Sequence, residues 1–397
     1  MSNGVVAFAM EWVPQYRAAF YEQLRDDLAE RGIEMRLIHG DPPASRKKRN
    51  DAKVLDWATY VPNRLWTVKG LEITAQPVLK HLRGADLVVL QQETGLVLNY
   101  IMMAWSRVGG PRVAVWGHGH NFNPLEASGV AERVKRTVTK WSDWAFAYTE
   151  QSAGVFRDIG MDPQHITVVQ NSLDIAPLQA ALSKSASAVT DPDLLSEDEQ
   201  PSPEIAALTA SLATEDKRVA WIVSALDRWK RVPFLIEILD RCAERIDGFA
   251  FVALGAGDQA HLLVEAAETR PWLHALGARF GADKAAIAAL PSVTIHPGLA
   301  GLHVIETFAT GSPMVTADID YHSHEVSYLD DGNSVMLPAD ASADDFAAAV
   351  ERLMTDPEEL ARLQAGCAAA AEVFTLQAMV GNFADGIADA LAVYRQG

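Results

Sequence analysis

Residues 296–313, His-Pro-Gly-Leu-Ala-Gly-Leu-His-Val-Ile-Glu-Thr-Phe-Ala-Thr-Gly-Ser-Pro, join a glycine-bearing turn to a short helix that carries one carboxylate. That combination suits a nucleoside diphosphate. Residues 292–296 read as a buried strand. Gly298 and Gly301 free the turn after it, so that the backbone of Gly298, Leu299, Ala300, Gly301 and Leu302 can approach an anion at a helix N-terminus. With Leu302 at angle zero, Ile305 and Ala309 fall on one apolar stripe at about 100° per residue, and Glu306 lies roughly 40° off its edge. The carboxylate then sits about one turn, roughly 6 Å, from the anion, within reach of a ribose diol. Gly311 and Pro313 end the helix. An ordinary helix whose glutamate borders solvent fits the same residues, so the rest of the chain must decide.

Several other segments carry groups that could serve such a site. After an apolar run at 219–224 comes Ala225-Leu-Asp-Arg-Trp-Lys-Arg231, which puts Arg228, Lys230 and Arg231 where a strand gives way to a helix. Cations there suit a diphosphate. The next strand ends in Gly255-Ala-Gly-Asp258, a turn that admits close backbone approach and is equally plain turn chemistry. Phe280-Gly-Ala-Asp-Lys284 leads into a helix and offers a wall for a base. In the first half, Trp116-Gly-His-Gly-His120 follows a strand, so His118 or His120 faces a ligand or is a satisfied loop histidine. Asp318-Ile-Asp320 and His322-Ser-His-Glu325 have metal-ligating residue types. The acidic pair lacks the rest of a metal-binding fold, and no metal is expected; residues 322–325 read as a loop, with zinc as the alternative. Seven of the ten tryptophans precede residue 180. Most read as core, with stacking on an acceptor sugar as the functional alternative.

The elements that must hold these groups read as two α/β series. Apolar strands at 5–10, 33–38, 86–90, 112–116, 144–147 and 166–169 alternate with helix-like segments, the first at 18–31. A second series has strands at 219–224, 249–254, 293–296, 314–316 and 335–337, then helices at 344–354, 357–372 and 376–394. Such alternation implies doubly wound parallel sheets. The expected division is a first domain over 1–180, a linker or mobile insertion over 181–205, a second domain over 206–375 and a terminal helix over 376–397. Ligands of such sheets bind beyond the carboxyl ends of the strands, so an interdomain cleft is the expected site.

Charge and composition narrow the function. Residues 1–180 hold 20 Lys and Arg against 19 Asp and Glu, and residues 181–397 hold 14 against 33. The acidic second half disfavours nucleic acid without excluding transfer onto modified DNA. The dense basic run at 46–49, Arg-Lys-Lys-Arg, reads as a solvated loop or as a contact with an anionic acceptor or membrane headgroups. No long uncharged apolar run and no basic-then-apolar leader stand out, so the expected place is the cytoplasm, with peripheral contact at the inner membrane face as a further option. Cys242 and Cys367 are too few for a disulfide scaffold.

Taken together, the Tyr16-Arg17 loop, Trp116-Gly-His-Gly119, Thr167-Val-Val-Gln-Asn-Ser-Leu-Asp174, Lys230, Gly255-Ala-Gly257, residues 297–313 and Asp331-Gly-Asn333 resemble the retaining GT-B glycosyltransferases. The resemblance implies an α/β GT-B fold of two Rossmann-like domains. The second would hold a nucleotide-sugar donor and the first a carbohydrate or other small-molecule acceptor, with no cofactor. It also implies that the last helix returns to the first domain. Lys230, with Arg228 and Arg231 beside it, would bind the diphosphate, the loop from Gly298 to Leu302 the phosphates and sugar, Glu306 the ribose, and Phe280 and Gly255 the rest of the donor. His118 would line the sugar site, and Tyr16, Arg17 and His120 would face the acceptor.

The chain departs from that family in three places. Gly298 stands where a glutamate eight residues before Glu306 is usual, Ala225 where an arginine is usual, and Glu11-Trp-Val-Pro-Gln-Tyr-Arg17 replaces a glycine pair. A saccharide, lipid-linked or natural-product acceptor fits the resemblance. A nucleotide-sugar epimerase and a non-catalytic binding protein on the same frame are the competing readings.

Overall fold

The computed structural model describes residues 3–43, 52–68, 71–119, 130–188 and 200–395. The basic run at 46–49 and His120 lie outside them. The chain divides into two compact units, Met1–Asp174 with Phe374–Gly397, and Ile175–Val373.

In the first unit a parallel sheet runs in the order β3-β2-β1-β6-β7-β8-β9. Its strands are β1 (Val5–Met10), β2 (Glu34–His39), β3 (Thr59–Tyr60), β6 (Leu87–Gln91), β7 (Arg112–Gly117), β8 (Trp144–Ala147) and β9 (Ile166–Val168). An antiparallel pair, β4 (Arg64–Val68) and β5 (Leu71–Ala75), stands apart. The central strands are apolar on both faces because helices cover both. The pair β4 and β5 and the two-residue β3 escaped the sequence reading, since Arg, Thr and Glu dilute their apolar alternation. The helix Leu376–Arg395 belongs to this unit. Its Met379, Val380, Phe383 and Ile387 recur at helical spacing and enter the core beside Phe8, Phe20 and Phe146. Phe383 stacks on Phe146 with ring centroids 4.4 Å apart. Gly386 permits this approach, because a Cβ there would lie 2.4 Å from the Thr167 hydroxyl oxygen.

The second unit carries a six-stranded parallel sheet in the order β12-β11-β10-β13-β14-β15. Its strands are β10 (Arg218–Val223), β11 (Phe249–Leu254), β12 (Leu273–Gly277), β13 (Val293–Ile295), β14 (Met314–Ala317) and β15 (Ser334–Leu337). The edge strand β12 was missed because Leu-His-Ala-Leu-Gly is short and only half-buried. Two helices reach into the expected linker. A helix Ala176–Ala188 precedes residues 189–199, which are not described, and a second helix, Pro203–Leu212, buries Ile205 and Leu212. Pro203 at its first turn and Glu204 beside it are ordinary helix starters that a polar composition conceals.

By length and composition alone, Pro357–Tyr394 contains a stretch apolar enough to cross a membrane, at mean hydropathy 1.2, which the reading of apolar runs passed over. The stretch is two helices, Pro357–Val373 and Leu376–Arg395, and the apolar face of the second is the core face just described.

Candidate functional site

Strand order reverses in the second unit between β10 and β13, which flank each other although β11 and β12 intervene in sequence. Crevices at such switch points are where doubly wound sheets take ligands. The two loops leaving this point are 224–231 and 296–302, and they are fastened to each other. Leu299 N–H donates to Trp229 O at 2.9 Å, Lys230 Nζ to Leu299 O at 2.5 Å, and Arg231 Nη1 to Pro297 O at 3.3 Å. Asp227 caps the short turn by accepting from Trp229 N–H. Arg231 holds the left-handed backbone that ends it, at φ 53°, a conformation a side chain adopts at some cost. Arg228 is exposed and lies over the Trp229 ring.

Gly298 is the tightest point of this fastening. A Cβ there would fall 2.3 Å from Trp229 O and 2.6 Å from Lys230 Cα. The residue is glycine because two backbones meet, so the position has no room for a carboxylate. Gly255 follows the same logic: its Cβ would lie 1.8 Å from Ser224 O, and Gly257 is pressed against Leu226 in the same way. The Gly255 turn thus uses its missing side chain to pack the neighbouring loop.

The loop donors sort into two sets. The N–H groups of Leu299 and Ala300, expected to face an anion, are committed: Leu299 to Trp229 O and Ala300 to His322 Nδ1 at 3.2 Å. Those of Gly301, Leu302 and His303 make no hydrogen bond among the described residues. They are consecutive and open the helix His303–Thr310, whose dipole favours an anion at this end. His322 supports them from the loop that follows β14. Its Nε2 donates to Ala317 O at 2.7 Å while Nδ1 accepts from Ala300, which fixes one neutral tautomer. Burial lowers its pKa to match. Next to it, the buried Ser323 hydroxyl has no hydrogen-bond partner among the described residues and lies 3.8 Å from where a Gly301 Cβ would be. His303 was missed, because nothing in its spacing distinguishes it; Ser323 falls within residues 322–325, which the sequence singles out by residue type without pointing to its hydroxyl.

The buried face of the helix is not the expected stripe. Val304, Ile305 and Phe308 point inward with His303 and Thr307, whereas Leu302 and Ala309 are only half-buried. The helix begins one residue later than the stripe assumed, and two polar side chains face the sheet. His303 packs against Trp221 and His296 with ring centroids 5.8 and 5.6 Å away, and both its ring nitrogens lack hydrogen-bond partners among the described residues. Burial first, then Lys284 and Lys230, hold its pKa down at about 3. His296 is likewise kept neutral by burial and by Lys230.

Glu306 lies off the buried arc, half-buried, and is not free: Lys284 Nζ sits 2.5 Å from its Oε1. Lys284 comes from the helix Gly281–Ala288, preceded by Phe280, whose side chain is exposed. Lys230, Lys284, His303 and Glu306 therefore gather around the start of one helix. An open depression of about 760 Å³ elsewhere on this unit, lined by Glu237, Asp240, Arg241, Glu244 and Arg270, includes none of these residues. Among the described residues no group of three or more His, Cys, Asp or Glu side chains is arranged to hold a metal ion.

The remaining candidates belong to the first unit. His118 is half-buried, its ring 4.2 Å from that of Tyr148. The turn that carries it is held by Gln92, whose Oε1 accepts from Gly119 N–H at 2.7 Å. Tyr16 is exposed. Arg17, expected to face an acceptor, is 5% exposed. Its guanidinium donates to Asn171 Oδ1, Ser172 O and Met379 Sδ and lies among the rings of Tyr16, Trp116 and Tyr148. It ties three segments of the unit together from inside. The segment replacing the glycine pair is equally occupied: Glu11 N–H donates to Gln91 Oε1, and its carboxylate accepts from Thr74.

The family model for glycosyl transferases group 1 matches residues 217–356, all within the second unit. A search of curated protein sequences finds no match. Among solved structures the chain is similar to HepE from Anabaena in complex with UDP, at 16% identity over 98% of this chain and 99% of that one, with a TM-score of 0.67. It is similar to WaaG, a glycosyltransferase involved in lipopolysaccharide biosynthesis, at 14% identity over 96% and 98%, TM-score 0.62. A UDP-GlcNAc 2-epimerase from Methanocaldococcus jannaschii aligns at 14% identity over 89% and 93%, TM-score 0.53. These likenesses establish the fold as α/β with two Rossmann-like parallel-sheet units, that of the GT-B glycosyltransferases.

Proposed function

We propose, from the match of residues 217–356 to the glycosyl transferases group 1 model and from the GT-B fold, that the chain is a glycosyltransferase that moves a sugar from a nucleoside-diphosphate sugar to a saccharide, lipid-linked or natural-product acceptor. The observation that carries this reading is the run of three unpartnered N–H groups, Gly301 to His303, on a loop fastened by Lys230. Breaking a sugar–diphosphate bond builds negative charge on the leaving phosphate, so donors aimed there lower the barrier. In this reading the open N–H groups and the Lys230 and Arg231 cations stabilise the departing diphosphate, Glu306 holds the ribose and Phe280 covers the base. The acceptor attacks from the face the diphosphate leaves, which retains configuration and needs neither an enzyme nucleophile nor a metal. UDP-sugars are the first donors to try, since HepE is seen with UDP. The reaction is placed in the cytoplasm, with peripheral membrane contact where the acceptor is a lipid.

One observation favours a second reading. Gly298 has no room for a carboxylate, and a binding protein without transfer activity would tolerate that. Incubation with UDP-, GDP- and ADP-sugars, followed by mass detection of slow donor hydrolysis, separates the two. Hydrolysis of one donor class supports the transferase. Nucleotide binding without hydrolysis or transfer supports the second reading, and no binding of any nucleotide sinks both.

A further inference from the structure

We propose that Lys284 is a positioning residue for the ribose: its ammonium clamps one oxygen of Glu306 and leaves the other turned to the ribose hydroxyls of a bound nucleoside diphosphate. The inference rests on the donor-site reading above. The two residues come from separate helices, Gly281–Ala288 and His303–Thr310, and meet at 2.5 Å with side chains only 20% and 16% exposed. An exposed ion pair would be screened and of little consequence, whereas a pair withdrawn this far from water keeps its attraction. Oε1 is taken by Lys284, and Oε2 has no hydrogen-bond partner among the described residues. A carboxylate oxygen has two acceptor directions, enough for a vicinal diol.

A glutamate free to rotate would lose that freedom when ribose docks. Here the clamp has already removed it, which is the advantage of a preorganised site. Phe280 stands just before this helix as its N-cap, in extended backbone and with its ring exposed. One short helix and its cap thereby offer an exposed ring for the base and a clamp for the residue that reads the sugar.

The test is isothermal titration of the full chain with UDP, GDP and ADP and with their 2′-deoxy forms. For the ribonucleotide that binds best, wild type should prefer it to its 2′-deoxy form by about tenfold. Lys284→Met should weaken the ribonucleotide severalfold, leave the 2′-deoxy form nearly unchanged and bring the ratio close to one. Lys284→Arg should restore most of the ratio. Equal losses for both nucleotides would mean that Lys284 acts on the phosphates or on folding, and would overturn the proposal, as would an unchanged ratio. If wild type binds no nucleotide, the donor-site reading fails first, and this inference falls with it.

Discussion

The two parallel sheets end their central strands in opposite ways. After β1 of the first unit the loop is closed upon itself: the Glu11 N–H, carbonyl and carboxylate are engaged by Gln91, Asn63 and Thr74, and the Arg17 guanidinium is buried against Asn171 and Ser172. After β13 of the second unit the loop is fastened on one side only, to Trp229 and Lys230, while Gly301, Leu302 and His303 keep their N–H groups open. The same chain architecture thus makes a filled corner in one unit and a vacant donor array in the other. Unpaired donors are costly unless a ligand or water takes them. That difference is what the donor-site proposal rests on.

The largest expected effect is at Gly298. Glu at this position, the residue the family resemblance leads one to expect, would have to displace the Trp229 and Lys230 backbone, so Gly298→Glu should abolish nucleotide binding in a titration calorimeter while the first unit still unfolds normally. Retained binding would show that the two loops are not fastened as described. Lys230→Met comes next. It removes a cation from the leaving group and a bond from the loop, and donor hydrolysis should fall by about 10²–10³-fold, the usual range for losing one preorganised donor. An unchanged rate would return the loop to a purely structural role.

Acid should touch the second unit through its neutral histidines. His303 is held at about 3 in the folded chain against 6.5 for an ordinary histidine. Below 6.5 the unfolded chain takes up a proton that the folded chain refuses, so stability falls as pH drops from 6.5 toward 3, by up to about 1.4 kcal/mol per pH unit. Burial shifts His296 and His322 in the same direction. Urea midpoints across this window should shift less steeply for His303→Gln, and an identical slope would show that His303 is not the titrating group. The smallest effect belongs to the closed corner. Glu11→Ala loses a half-buried hydrogen bond to Thr74 and should cost about 1 kcal/mol of stability, with nucleotide affinity unchanged. A matching fall in affinity would erase the contrast between the corners.

Much of this was legible in the residues. Apolar runs separated by helical periods mark nearly every buried strand because a strand covered on both faces must be apolar throughout. The strands that escaped, β3, β4, β5 and β12, lie at edges or outside the main sheets, where half-exposure dilutes the signal. The glycine loop and Lys230 were visible as types at a strand end. Their pairing was not, since Lys230 and Leu299 are 69 positions apart.

The sequence by itself therefore determined the two α/β series, the strand ends that carry glycine and cations, and the single carboxylate one turn beyond them, because these follow from local periodicity and residue type. Only the tertiary structure decided which donors stay open. It spent Leu299 and Ala300 on Trp229 and His322, buried Arg17 among three rings, turned His303 inward and set Lys284 on Glu306. Hydrogen bonds and ion pairs between distant segments depend on how helices and strands pack, and no spacing along the chain encodes that directly.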